Sequence, residues 1–416
     1  MRIRVIYIAL ILFCAAAAGV HAQTPSILLL GKDTTWSSRG MMIMVGGDAG
    51  ISTNALNVDF LQKSILGGRF ERNELKELYD GLPSESKLGY AVHSDITFLS
   101  FADTLLGNPN LGIRASLSTN YEGYCGFRPN AFGLVYLGNG DLNPGKVDIG
   151  EFIYGNQAWQ KIGFGLFNKS TLSGFTLSLV AGQSFQSLAI DEAKFFTSAV
   201  GDSLSLELDG VFTRSNPKRK GLANGNGLGA CVDFDFNLPL ADKSGMMSFS
   251  ARNVGFVVWN SKTETRTLNT ALQWNGLDVT NWLSGATDTL ELPTWTDSVR
   301  TAGELKETFR LLPASFSFRY MKRITSAGYI ETGCSFFPNR VALPLAYVGM
   351  MNLIGNGFSI GERISYGGYG NFAMGMEVQW LSRNAWFIRT GAAQLDGWLF
   401  AKARGRNLFL NVGKSF

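Results

Sequence analysis

Two histidines and four cysteines are all that 416 residues offer for imidazole or thiolate ligation of a metal and for thiol chemistry. Cys125, Cys231 and Cys334 are far apart and too few for a disulfide framework. With one histidine beside them they make no zinc set, and they are read as small, half-buried packing residues. A histidine-based triad would depend on His93, which has no Cys or Ser motif nearby. It is read as a satisfied interfacial or lumen histidine. No Gly-Lys-Ser/Thr phosphate loop is present, and Asn224-Gly225-Asn226-Gly227 is a turn. No cofactor and no enzymatic activity are expected. Net charge is scarce too, with 37 Lys and Arg against 33 Asp and Glu. This excludes nucleic acid as a bulk-charge partner, and the short run Pro217-Lys218-Arg219-Lys220 is read as a solvated turn. After the first twenty-odd residues no apolar stretch approaches a membrane-spanning helix in length. Proline is rare (11) while glycine (49), phenylalanine (30) and tryptophan (9) are plentiful, which excludes a disordered chain.

The N-terminus has the form of a secretory leader. Arg2 and Arg4 give a basic start, residues 6–18 are apolar, and Val20-His21-Ala22 puts small residues where a signal peptidase reads. Cleavage is expected before Gln23, leaving 23–416 as one domain. Cys14 is not read as a lipidation site, because bulky Phe13 precedes it. Loss of Arg2 and Arg4 brings the formal charge from +4 to +2.

What the remainder has in abundance is strict alternation. Leu228, Ala230, Val232, Phe234, Phe236, Leu238 and Leu240 are apolar, while Asp233, Asp235 and Asn237 lie between them. A strand sends successive side chains to opposite faces, so one face is hydrocarbon and the other carries carboxylates. Residues 203–212 and 372–380 repeat the pattern. These runs reach the ~9–11 residues of a transmembrane strand, about twice the soluble average. Their polar faces are Ser, Thr, Gly and Asn with isolated charges, which suits a narrow lumen. The chain ends on an amphipathic segment in which Leu408, Leu410, Val412 and Phe416 share a face. The expectation is an all-β, transmembrane antiparallel β-barrel of 14–16 strands with short helical elements in extracellular loops.

Sixteen segments fit, from 41–54 to 402–416, including 203–214, 227–240, 245–259 and 263–274. The weakest is 263–274, and Gly46-Gly47 with Gly50 in the first marks a bulge or an inward tuck. Losing one pair gives 14. The long connections 55–87, 125–156, 185–202 and 275–312 all fall at one end. The turns 169–173, 260–262 and 382–384 fall at the other, as the short periplasmic turns of such barrels do. Residues 70–81 form the one good loop helix, read either as a lid over the mouth or as a solvated helix. Trp282 and Trp295 sit in the connection 275–312. Glu362 has lipid-facing parity, which suggests a bulge in its strand. Inward parity gathers Arg114, Glu207, Asp209, Asp233, Asp235, Arg252, Arg319, Glu331, Glu377 and Arg389 into a candidate lumen network, read as cross-lumen pairing or as a polar gate.

Several local features resemble one known group. They are Phe127 through Tyr136-Leu137-Gly138-Asn139, Val147-Asp148-Ile149, and Trp159 with Gly163-Phe164-Gly165. Leu312-Pro313-Ala314-Ser315-Phe316, Tyr366-Gly367-Gly368-Tyr369 and the terminal Gly413-Lys414-Ser415-Phe416 complete the set. The chain resembles an uncharacterised outer-membrane β-barrel family of Bacteroidota, a domain of unknown function, similar in architecture to long-chain fatty-acid transporter barrels. The resemblance implies residence in the outer membrane and contact with its lipid, and the amphipathic C-terminal strand ending in Phe416 resembles the signal that the barrel-assembly machinery recognises. It implies passage or uptake of small hydrophobic molecules. The alternative is a non-transporting structural barrel docking a secretion or surface-protein partner. It carries over no catalytic or ligand residue.

Overall fold

The computed structural model describes residues 40–416 except 102–103, 142–144, 200–202, 217, 219–224, 275–302 and 356. The expected leader, the greater part of the basic run at 217–220, Trp282 and Trp295 lie outside the described residues.

The wall is a closed antiparallel barrel of 14 strands. In chain order the strands are β1 (Met41–Thr53), β2 (Ser86–Ser100), β3 (Leu111–Phe127), β4 (Gly145–Asp148), β5 (Phe152–Asn168), β6 (Gly174–Thr197), β7 (Leu204–Arg214), β8 (Gly227–Pro239), β9 (Gly245–Trp259) and β10 (Glu264–Trp274). They continue as β11 (Glu304–Leu305), β12 (Thr308–Leu311), β13 (Ser315–Arg323), β14 (Gly328–Phe336), β15 (Leu343–Leu353), β16 (Phe358–Gly368), β17 (Phe372–Leu381), β18 (Trp386–Ala392) and β19 (Gly405–Ser415). β4, β7, β10, β11 and β12 are not separate staves of the wall. The ring closes where β19 pairs β1 from Met42↔Ser415 to Ser52↔Gly405. Closure leaves no open sheet edge in hydrocarbon, where an unpaired peptide group has no water to turn to.

Parity decides the two faces. Leu117, Ile162 and Leu179 are cross-strand neighbours on β3, β5 and β6, and all three are exposed on the outside. Phe164 and Leu177 form the next such row. Trp380, Trp386 and Phe416 mark one rim of this apolar band, and Tyr366, Phe372, Trp398 and Phe400 the other, as interfacial aromatic girdles do. Lys414 leaves the apolar pattern of its strand at the rim. Its ammonium lies 5.0 Å from the Trp386 ring centroid and donates to the Asn384 carbonyl at 2.7 Å. β1 is regular: its pairing with β2 runs from Met41↔Ser100 to Thr53↔Leu88 without a shift, so the expected bulge or tuck is absent. Glu362 stays on the outer face, exposed between Met350 and Met376. The shift in β15–β16 lies between Leu343 and Ala346, too far along to turn it inward.

The connections at 169–173, 240–244, 324–327, 354–357 and 382–385 are four or five residues long and share one end with Gly40 and Phe416. This is the turn end, which also carries the ten-residue connection 101–110; the longest connections gather at the loop end. Two expected wall strands are not in the wall. β6 pairs β8 along Gly174–Gly182 and β7 along Gln186–Thr197. β7 and β8 therefore run end to end in one direction beside a single long β6. β9 and β10 are collinear in the same way, since β10 pairs β7. β4, the upper half of β6, β7, β10 and β11 thus form an extension of the sheet beyond the loop end. The connections 215–226 and 260–263 lie at the loop end rather than among the short turns.

The expected helix forms over Arg72–Asp80 (α2), closed by a capping box between Glu71 and Glu74. It packs with α1 (Val58–Leu66) and α3 (Pro129–Tyr136), neither of which was expected. Phe60, Leu61, Leu75 and Phe132 form their shared core over Ile51, Leu88 and Phe127. The cluster crowns the tips of β1–β3.

Candidate functional site

The interior is layered. At the turn end two apolar clusters point into the lumen. One holds Met42, Leu99, Phe167 and Phe387 with Phe101 and Leu172 from the turns; the other holds Met246, Met321, Tyr329 and Met351. Together they make a methionine-rich floor of unbranched, easily repacked side chains.

Above the floor is a chamber of about 180 Å3 lined mainly by charged and amide side chains. Asp235 accepts from Arg114 at 2.7 Å and also pairs with Arg252. Asp233 accepts from Lys161 Nζ at 2.6 Å, which also donates to Asn253 Oδ1 at 2.7 Å. The backbone builds this local arrangement. Pairing of β8 with β9 shifts between Val232 and Phe234, and Asn253 takes φ +54°. The bulge turns two consecutive side chains inward: Arg252 reaches Asp235 while the Asn253 N–H donates to Asp233 Oδ1 at 2.7 Å. Low-dielectric surroundings make each pairing necessary.

The chamber's upper limit is His93. Its Nδ1 lies 3.1 Å from Asp48 Oδ2 and its Nε2 2.9 Å from Glu122 Oε1. A neutral imidazole has one N–H and a lone pair, so two carboxylate partners call for the doubly protonated ring. Asp48 and His93 are direct cross-strand partners.

Beyond His93 lies an outer cavity of about 230 Å3. Among the described residues His93 is the one that lines both spaces, which makes its ion triad the neck between them. Apolar groups on the outer wall come from Leu312, Pro313, Phe337 and Leu345, with the Tyr369 ring beside them. The Tyr369 ring lies against Gly89, a position where a Cβ would collide with it, and its hydroxyl accepts from Asn339 Nδ2 at 2.9 Å. Arg310 faces the same cavity, with its guanidinium carbon 4.5 Å from the Phe185 centroid. None of the residues of α1, α2 or α3 lines the cavity, so the helices stand on the rim and do not lid it. β12 pairs β9 from Thr308↔Trp259 to Leu311↔Phe256 and, among the described residues, has no strand on its other side. Leu311, on this unpaired strand edge, lines the cavity.

The sequence-expected network divides. Arg114, Asp233, Asp235 and Arg252 meet in the chamber. Glu377 and Arg389 pair at 2.6 Å on the opposite wall, where Arg319 is buried and Glu331 half-buried. Glu207 and Asp209 do not belong to the lumen: both are exposed on the extension, where Glu207 accepts from Lys146 at 2.7 Å. Their strand has barrel-like alternation but pairs beyond the wall. Sequence parity overlooked Lys161, although outward Ile162 and Phe164 point it inward. It also overlooked Asp48, Glu122 and Arg310.

Residues 39–353 match the sequence model described as "Family of unknown function (DUF5723)". No curated protein matches by sequence. Among solved structures the chain is similar to the Pseudomonas putida toluene transporter TodX, at 7% identity over 95% of this chain and 93% of that one, with a TM-score of 0.38. It is also similar to the translocator domain of the autotransporter NalP from Neisseria meningitidis, at 9% identity over 94% and 92%, TM-score 0.32. The Ralstonia pickettii toluene transporter TbuX gives 8% over 96% and 97%, TM-score 0.29. The family match spans most of the chain, and the protein belongs to the DUF5723 family of unknown function.

Proposed function

We propose that this barrel resides in the outer membrane of a Gram-negative cell, loop end outward, and passes small hydrophobic molecules inward. No catalytic step is part of this reading, and insertion by the barrel-assembly machinery through β19 and Phe416 belongs to it. The observation that carries it is the outer cavity, with apolar groups on its wall and, among the described residues, an unpaired strand edge at β12 beside it. A guest enters there without crossing the charged chamber, and the neck and floor are the barriers to its onward movement.

The test is uptake of N-phenyl-1-naphthylamine, a neutral fluorescent hydrocarbon amine, by intact cells producing the barrel. Uptake should rise above that of empty-vector cells and return to it with Ala314→Trp, which fills the cavity. Unchanged uptake with folded barrel in the membrane refutes the reading. A second reading, a barrel that docks a protein partner, draws on the sheet extension standing beyond the mouth. Loss of a stoichiometric co-purifying protein on deletion of β7 and β10 would favour it.

A further inference from the structure

Four lumen cations have carboxylate partners: Arg114 and Arg252 share Asp235, Lys161 has Asp233, and Arg389 has Glu377. Arg310 differs. No carboxylate lies within ion-pair distance of it among the described residues. Its partners are neutral, the Ser187 hydroxyl at 2.6 Å and the Phe185 ring face. It lines the outer cavity, whose one carboxylate among the described residues, Glu122, is already taken by His93. A guanidinium has five N–H donors, and one serine with one ring face leaves most of them without an acceptor.

We propose that Arg310 is the anion-binding residue of the outer cavity, and that the ligand is a small monoanion with an apolar body. This rests on the reading of that cavity as the entry site and narrows its ligand class. The carboxylate of such a ligand takes the free N–H groups of Arg310 in the fork geometry that guanidinium offers. Its body lies along Leu312, Pro313, Phe337 and Leu345. A volume of about 230 Å3 is below the ~300–1,000 Å3 of drug-sized sites, which favours one or two fused rings over an extended chain. The phenyl face of Phe185 holds the guanidinium flat, so the charge is positioned before the ligand arrives.

The experiment compares 2-naphthoate with neutral 2-naphthalenemethanol, which has nearly the same shape, by calorimetry on the nanodisc-embedded protein. The acid should bind more tightly than the alcohol by on the order of tenfold, the range of one charge-assisted pair. Arg310→Gln should abolish the preference, and Arg310→Lys should keep part of it. A purely structural arginine would move both ligands together. Equal affinity of the two ligands for the unaltered barrel overturns the proposal and leaves the hydrophobic-passage reading standing. So does a preference that survives Arg310→Gln. Binding of neither ligand overturns both. If Arg310→Gln does not fold, the unaltered barrel and Arg310→Lys decide: a preference that Arg310→Lys leaves undiminished overturns the proposal.

Discussion

Asp233 and Phe234 are adjacent in sequence and face opposite media. Phe234 sits on the lipid face near mid-height of β8, so Phe234→Arg should destabilise the barrel by about 2–4 kcal/mol, the depth-dependent penalty for a lipid-facing cation. Parity alone predicts a milder effect for Asp233→Asn. The structure raises that figure, because Lys161 is 8% exposed and Asp233 is its carboxylate partner. Orphaning a fully buried charge costs ~3–5 kcal/mol, an upper bound here because the pair lines a chamber roomy enough for water. Urea midpoints of the two variants in lipid vesicles should therefore lie close together. Asp233→Asn combined with Lys161→Gln should recover at least part of the loss; strict additivity would remove the pairing from the account. The inward direction of Asp233 is legible from Val232 and Phe234, and that of Lys161 from Ile162 and Phe164. The partners of His93 are not legible, because Asp48 and Glu122 meet it only through the register of three strands. Arg310 is hidden for another reason: β12 is four residues long and no alternation develops in it.

Strand by strand, periodicity finds elements and does not say which elements pair. β7 alternates Leu204, Leu206 and Leu208 with Ser205 and Glu207 as a wall strand would, since a sheet extension also has two faces. The end-to-end placement of β7 and β8 follows from the unbroken length of β6, which runs 24 residues through a segment that reads as a loop from Phe185 onward. That is why 14 strands are observed where 16 segments alternate. Replacing residues 188–212 and 266–303 with short Gly-Ser loops should leave a barrel that still shows a heat-modifiable gel shift. The Gly182↔Gly227 and Trp259↔Thr308 pairings remain in place. Loss of the shift would return β7 and β10 to the wall. The outer face has its own probe. Cys334 is exposed with outward parity on β14, between Phe318 and Ala346, whereas Cys231 is buried inside. In nanodiscs an apolar maleimide should label Cys334 and a charged one should not. Labelling by the charged reagent alone would mean that this face meets water.

For the molecule as a whole, the interior layers act in series. A solute or ion crossing the lumen meets the neck at His93 and then the methionine-rich floor. Each is sealed differently. The neck is held by two carboxylates on one imidazole, and its opening requires those contacts to separate. The floor is held by packing of Met42, Met321, Phe387 and their neighbours, with Arg323 donating to the Tyr329 hydroxyl. Barriers in series do not substitute for one another: removing one leaves the other to set the flux. His93→Ala should therefore leave planar-bilayer conductance at the level of the unaltered barrel. The floor variant Met42→Ala/Met321→Ala/Phe387→Ala should do the same, although large-to-small changes at three buried sites cost several kcal/mol of stability. Conductance should appear when the two sets are combined. The stability loss makes refolding yield the first measurement, with conductance normalised to inserted barrel. If His93→Ala alone conducts, the floor is not a seal and the charged chamber opens directly to the turn end. If the combined variant is folded and still closed, a third obstruction fills the lumen and the layered pathway is wrong.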